Sequence, residues 1–120
     1  MSVECRQPSE HRYPAAAAED CYAGLVWTTA HATELQIDLG MLAILGVSAG
    51  GGLAVATVLM ARDRGGPRLR AQVLICPILD CCGVTVSSKQ FVGDGIVWDR
   101  ELNKRSWRWY LGEEELKLMA

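Results

Sequence analysis

Apolar positions along the chain follow two different rhythms. From residue 15 to about residue 31 strong helix formers dominate, and Tyr22, Leu25, Val26 and Thr29 recur at i, i+3, i+4 and i+7, the spacing of one helix face. Pro14 stands where proline suits a first helical turn, and Glu19 and Asp20 occupy early turns, where the helix dipole favours acids. Asp38-Leu39-Gly40 marks a turn, after which residues 41–45 form a short apolar run ending at Gly46. Its length predicts a strand buried on both faces, as in a parallel sheet. Residues 53–62 return to a helical pattern that Gly65-Gly66-Pro67 stops. Residues 71–76 then predict a second buried strand, ended by Pro77. One helix between two such strands makes a β-α-β unit, for which parallel strands and a right-handed crossover are expected.

Outside that unit the pattern is less regular. Residues 3–5 could end a strand but are too short to judge, and residues 80–95 are irregular and rich in Ser and Gly. Residues 100–111 predict a helix loaded with Trp107, Trp109 and Tyr110, capped by Gly112. The tail beyond it, residues 113–120, is acidic and then weakly apolar. No internal repeat interrupts this order. The reading is therefore α/β, with residues 1–112 as one domain and a C-terminal tail over 113–120.

Composition narrows the function classes. The chain has 120 residues, room for one small domain. Half of them are hydrophobic and the net charge is only −2, which argues against disorder and gives no electrostatic reason to expect nucleic acid or an anionic membrane as partner. The basic cluster Arg62, Arg64, Arg68 and Arg70 reads as a solvated helix end and turn. The longest mostly apolar stretch, 41–61, is broken by glycines and a serine, so no membrane span is expected. Residues 1–6 lack the apolar stretch of a signal peptide, which makes a cytoplasmic chain the default expectation. The five cysteines, Cys5, Cys21, Cys76, Cys81 and Cys82, are odd in number and include no C-x-x-C, so neither a disulfide framework nor a zinc site is expected, only reduced and mostly buried thiols.

The chemistry sits between the first strand and the helix after it. Gly46-Val47-Ser48-Ala49-Gly50 fits G-x-S-x-G in the strand–turn–helix setting that this motif needs. A sharp turn there makes the serine adopt a strained backbone and lifts its hydroxyl clear of the sheet. Small residues at Gly46 and Gly50 let strand and helix approach. The helix N-terminus aims unpaired N–H groups at the site, and that of Ala49 would be one oxyanion donor. Two plainer readings compete. A glycine-rich strand-to-helix turn can serve tight packing alone. Gly46, Gly50 and Gly52 also fit G-x-x-x-G-x-G, the dinucleotide turn of short-chain dehydrogenases. Against the second, Tyr13, Tyr22 and Tyr110 have no lysine four residues on, and a helix precedes the strand.

The flanking residues separate these readings. Arg6, Glu10-His11-Arg12-Tyr13-Pro14-Ala15-Ala16 and Glu19-Asp20 resemble the Y-R-L-A-P-E-H-P-F-P-A-A…E-D segment of the hormone-sensitive-lipase-like esterases, the α/β-hydrolase fold-3 group. Ile37-Asp38 and Gly46-Val47-Ser48-Ala49-Gly50-Gly51 are similar to the family's I-D…G-D-S-A-G-G. Residues 61–67 and Leu74-Ile75-Cys76-Pro77-Ile78-Leu79-Asp80 match the helix end and next strand. Ser87-Ser88, Trp98-Asp99-Arg100, Asn103, Trp107 and Tyr110-Leu111-Gly112 match the family's segment after that strand. The resemblance covers nearly all of residues 3–112. It departs at Val47, where the family has aspartate, at Gly52 for asparagine, at Gln7-Pro8-Ser9 for L-A-P, at Cys5 for tyrosine, and at one extra alanine within 15–18.

The resemblance implies a serine hydrolase of small carboxylic esters, needing no metal or cofactor. Ser48 would be the nucleophile, the Ala49 N–H an oxyanion donor, and Gly46, Val47, Gly50 and Gly51 the elbow. The helix over 100–110 would be a cap or substrate-lining element, or pack the core. The family's H-G-G-G oxyanion loop is expected before residue 1, and its acid and histidine after residue 120. His11 matches the family's E-H pair and His31 ends a helix, where a surface role is expected. Asp80 matches a non-catalytic position and Asp94 reads as a turn residue. Chain order in this fold is serine, acid, histidine, yet both histidines precede Ser48. The isolated chain is therefore expected to be inactive, either a clipped esterase or a non-catalytic interaction fragment. One strand of the family's sheet is expected to be missing between residues 3–5 and 41–46, leaving a bare edge and an uncovered face. Such a remnant is expected to be marginally stable and to self-associate through that edge.

Overall fold

The computed structural model of the chain describes residues 1–8, 10–11, 15–93 and 95–118, with the Leu118 side chain left aside. Pro14, expected at a helix start, and Asp94, expected in a turn, lie outside the described residues. The elements in order are α1 (Ala16–Ala30), a 3-10 turn (Leu39–Met41), β1 (Ala43–Val47), α2 (Ala49–Asp63), β2 (Ala71–Ile75), α3 (Val86–Gln90), α4 (Arg100–Leu111) and α5 (Glu113–Leu118). Contacts gather them into two compact units: Met1–Arg6 with Ala16–Ile78, and Gln7–Ala15 with Leu79–Ala120.

In the first unit, β1 and β2 pair in parallel with Ala43 opposite Ala71 and Val47 opposite Ile75. The β-α-β expectation holds, with the first strand starting two residues late because Asp38 caps a 3-10 turn. Its carboxylate accepts from the Gly40 N–H at 2.8 Å, which absorbs Met41 into that turn. α2 packs on β1 and β2, and α1 packs on α2. Small side chains line these contacts: Ala16, Ala17, Ala18, Ala54 and Ala61 are buried, and Thr57 is fully enclosed. Thr57 can be enclosed because its hydroxyl donates to the Leu53 carbonyl at 2.8 Å, so no polar atom is stranded.

Helix ends have local causes. Gly65, at φ 61°, ends α2 with the Gly66 N–H reaching the Ala61 carbonyl at 2.7 Å and its own N–H reaching Arg62 at 3.3 Å. This paired closure needs a left-handed residue, which glycine adopts without strain. Near the end of α1, Thr28 and Thr29 turn their hydroxyls back onto the carbonyls of Gly24 and Val26, at 2.6 and 2.8 Å. The N-terminal residues form no strand. They are tied to α1 by Arg6, whose backbone N–H and guanidinium both bond Asp20, the closest contact being 2.7 Å.

Three expectations need correction. The strands are not buried on both faces: Leu45, Val47, Val73 and Ile75 are 63, 50, 46 and 49% exposed. The register puts these residues on one face, and α2 covers only the other, toward Ile44, Gly46 and Leu74. On α1 the buried positions beyond the alanines are Leu25 and Thr28, while Val26 is 40% exposed, because α2 covers a face turned from the expected stripe. The thiols are not mostly buried either. Cys76 and Cys82 are exposed and the other three half-buried.

In the second unit, Asp99 caps α4 by accepting from the Leu102 N–H at 2.7 Å, and Gly112 closes it at φ 82°. Trp107 and Tyr110, one turn apart on α4, meet edge to face at 5.8 Å. The irregular stretch 80–95 contains the short α3, capped by Thr85. Residues 113–118, expected as a tail, are helical.

Candidate active site

Ser48 stands between the last residue of β1 and the first of α2, with φ 54° and ψ −120°. That region belongs to glycine, and holding a side chain there costs about 1–3 kcal/mol, so the surroundings must enforce it. Backbone bonds with the end of β2 and the segment after it do so. The Ser48 N–H donates to the Ile75 carbonyl at 2.9 Å, and the Ser48 carbonyl accepts from the Ile78 N–H at 3.1 Å. The same carbonyl accepts from Gly51 at 3.0 Å and Gly52 at 3.3 Å, which starts α2.

Close packing explains three of the four glycines around Ser48. A Cβ on Gly46 would collide with the Gly50 carbonyl. One on Gly51 would lie 2.8 Å from Pro77 Cβ, and one on Gly52 would lie 2.5 Å from the Ile78 carbonyl oxygen. Gly50 differs from its expected role, because a Cβ there meets nothing within 4 Å. Its backbone, rather than its missing side chain, is what approaches β1. Val47 lies on the bare face of the sheet. Ala49 opens α2, where helix geometry leaves the first N–H groups without intrahelical partners.

The clamp from the end of β2 is the part that sequence reasoning missed. Cys76 takes φ 40°, a left-handed value for a non-glycine residue, and so turns Pro77 and Ile78 back against the elbow. Only the proline after an apolar run hinted at it.

The remaining candidates are engaged elsewhere. His31 stacks on Trp27 with ring centroids 4.2 Å apart, and its Nδ1 lies 2.8 Å from the Trp27 carbonyl. Among the described residues no partner bonds the Ser48 hydroxyl. In the second unit, Asp80 Oδ1 accepts from the Cys82 N–H at 3.0 Å. The Asp80 carbonyl accepts from Asn103 Nδ2 at 3.2 Å, and Asn103 Oδ1 accepts from Trp98 Nε1 at 3.3 Å. These positions tie α4 to the segment after β2. Asp80 Oδ2, Arg100 Nε and Trp107 Nε1 are buried with no hydrogen-bond partner among the described residues.

A family model described as the alpha/beta hydrolase fold matches residues 1–119. The esterase LipI of Mycobacterium tuberculosis is 36% identical over 116 residues, which cover 97% of this chain and 36% of that protein. An arylesterase of Saccharolobus solfataricus is 42% identical over 79 residues, 66% of this chain and 25% of that protein. Among solved structures, the esterase LipW from Mycobacterium marinum superposes with a TM-score of 0.83 at 37% identity, covering 94% of this chain and 35% of that one. A bacterial heroin esterase superposes with a TM-score of 0.78 at 48% identity, covering 82% and 31%. The chain thus spans about a third of the length of LipI and of the two matched structures.

Proposed function

This chain belongs to the α/β-hydrolase fold family, alongside esterases of the hormone-sensitive-lipase-like type, and on that premise we propose that it carries the nucleophile elbow of a serine carboxylic-ester hydrolase. The observation that supports this reading most is the backbone of Ser48, held at φ 54° between a strand and a helix by bonds to Ile75 and Ile78. In this reading Ser48 Oγ attacks the acyl carbonyl of a small-molecule ester. The Ala49 N–H, at the start of α2, donates to the oxyanion of the tetrahedral intermediate. Collapse expels the alcohol and leaves an acyl-serine, which water hydrolyses. Gly46 and Gly51 keep the elbow tight, and Val47 and Gly50 complete the turn. On the family reading, residues 1–112 belong to a partial hydrolase domain and 113–120 are its C-terminal tail. Family membership displaces the dinucleotide reading of Gly46, Gly50 and Gly52.

The attack needs a base to take the hydroxyl proton, and no histidine comes after Ser48 in this sequence. We infer that the chain alone does not turn over esters and holds an inactive elbow. Incubation with a p-nitrophenyl ester tests this, with a fluorophosphonate probe followed by intact mass. The expected result is no turnover above background and no stoichiometric label. Turnover abolished by Ser48→Ala would show that the elbow suffices and overturn the inactivity. Turnover that survives Ser48→Ala would remove Ser48 from its proposed role.

A further inference from the structure

Residues 1–6 run back along α1 in a fixed order. The Arg6 backbone N–H and guanidinium bond the Asp20 carboxylate, at 2.9 and 2.7 Å. A Cβ on Gly24 would lie 2.8 Å from Val3 Cγ2. Met1 Sδ lies 3.1 Å from the Thr28 hydroxyl oxygen. Asp20, Gly24 and Thr28 recur every four residues, so they share one face of the helix. As the N-terminal numbers fall from 6 to 1, their partners rise from 20 to 28. Cys5 lies on this track between Arg6 and Val3, and Cys21 lies between Asp20 and Gly24. The track brings the two thiols side by side, and the Cys21 thiol hydrogen-bonds the Cys5 sulfur. Both residues are half-buried, so a small reagent reaches them from solvent.

The ion pair on this track holds the segment only weakly. The Arg6 and Asp20 side chains are 47 and 26% exposed, and ion pairs so open to water add little. We propose that Cys5 and Cys21 are a redox-sensitive staple, which a small-molecule disulfide closes to fasten residues 1–6 to α1, independent of the hydrolase reading of Ser48. The reaction is two thiol–disulfide exchanges. In the first, the Cys5 sulfur attacks oxidised glutathione. A bond forms from Cys5 to one glutathione sulfur, the glutathione S–S bond breaks, and the other glutathione leaves as a thiol with the Cys5 proton. In the second, the Cys21 sulfur attacks the Cys5 sulfur. The Cys5–Cys21 bond forms, and the remaining glutathione leaves as a thiol with the Cys21 proton. The two cysteines lose two electrons, and the glutathione disulfide gains them.

The surroundings set the order of attack. Burial first, and the Cys5 sulfur second, push the Cys21 thiol up to about 11. A thiol held protonated attacks slowly, so Cys5 meets the oxidant and Cys21 resolves the mixed disulfide. Cys81 and Cys82 are the other close pair, with sulfurs 3.8 Å apart. A bond between them would have to close to about 2.05 Å across a single peptide unit, which strains it.

The test equilibrates the 120-residue chain with mixtures of reduced and oxidised glutathione, then alkylates the remaining thiols and digests with trypsin. Cleavage after Lys and Arg puts Cys5 in peptide 1–6 and Cys21 in peptide 13–62, while Cys76, Cys81 and Cys82 share peptide 71–89. The expected product is peptide 1–6 joined to peptide 13–62. A ring of ~15 residues favours the folded state by about a hundredfold, so by linkage folding should favour this bond by the same factor over the chain in concentrated urea. Cys21→Ser should abolish the join and leave one glutathione on Cys5, with far-UV circular dichroism checking that the variant keeps its helices. Three results overturn the proposal: no joined peptide, a join no more favoured in the folded chain than in urea, or a dominant bond from peptide 71–89 to either of the other two.

Discussion

At Ser48 the backbone carries the cost of the strand-to-helix turn. Its φ of 54° is imposed by bonds from Ile75 and Ile78, which bracket Cys76 and Pro77. Two glycines beside it have opposite sensitivities. Gly46→Ala should destabilise the chain by roughly 3 kcal/mol or more, because the new Cβ meets the Gly50 carbonyl, which cannot move without opening α2. Gly50→Ala should be neutral or stabilising by up to about 1 kcal/mol, because the space is open and alanine favours the helix. Urea unfolding followed by circular dichroism separates the two, and equal destabilisation would refute this account of the turn. The G-x-S-x-G spacing marked the strand-to-helix turn in sequence, although the bonds that hold it come from Ile75 and Ile78. It could not show which glycine is pressed by a neighbour, because Pro77 and Ile78 come from the segment after β2.

Among the elements, α1 and α2 are joined by more than alanine contacts. Arg64, at the end of α2, places its guanidinium on both carboxylate oxygens of Glu19 in α1, at 2.9 and 2.6 Å, and lies 4.9 Å from the Tyr22 ring centroid. The hydrogen bond from Arg64 holds the Glu19 carboxyl below its ordinary range. A depressed carboxyl stabilises the fold above its unfolded-state pKa, and that contribution is lost as pH falls through its folded-state value. Glu19→Gln should therefore melt at a lower temperature than the parent near neutral pH, with the difference closing in acid. A gap that persists at pH 2 would mean the residue acts through packing instead. Both helices and both strands were legible from periodicity and from punctuation by Gly and Pro. The Glu19–Arg64 pair was not, since 45 residues separate its members. The exposed face of the strands was missed as a property of particular residues, because an apolar run reads the same whether one or two layers cover it.

For the molecule as a whole, the decisive feature is the aliphatic face of Leu45, Val47, Val73 and Ile75 left to solvent. A two-stranded sheet with one such face also offers unpaired edges, so the chain should associate as its concentration rises. Sedimentation velocity across a concentration series should show this. Leu45→Lys and Val73→Lys should shift the population toward monomer while changing unfolding free energy by about 0.5 kcal/mol or less, since both side chains are already wet. A chain that stays monomeric throughout would refute the expectation. The uncovered face was foreseeable in sequence only through the family resemblance, because composition cannot say which neighbours a strand has.

The elbow has one more consequence. Among the described residues, every backbone bond that holds Ser48 comes from residues 48–78, within a β-α-β unit whose strands pair in register. A unit that closes over so short a stretch pays little loop entropy and needs no distant partner. On a ribosome this turn can therefore be set as soon as residues 43–78 have emerged.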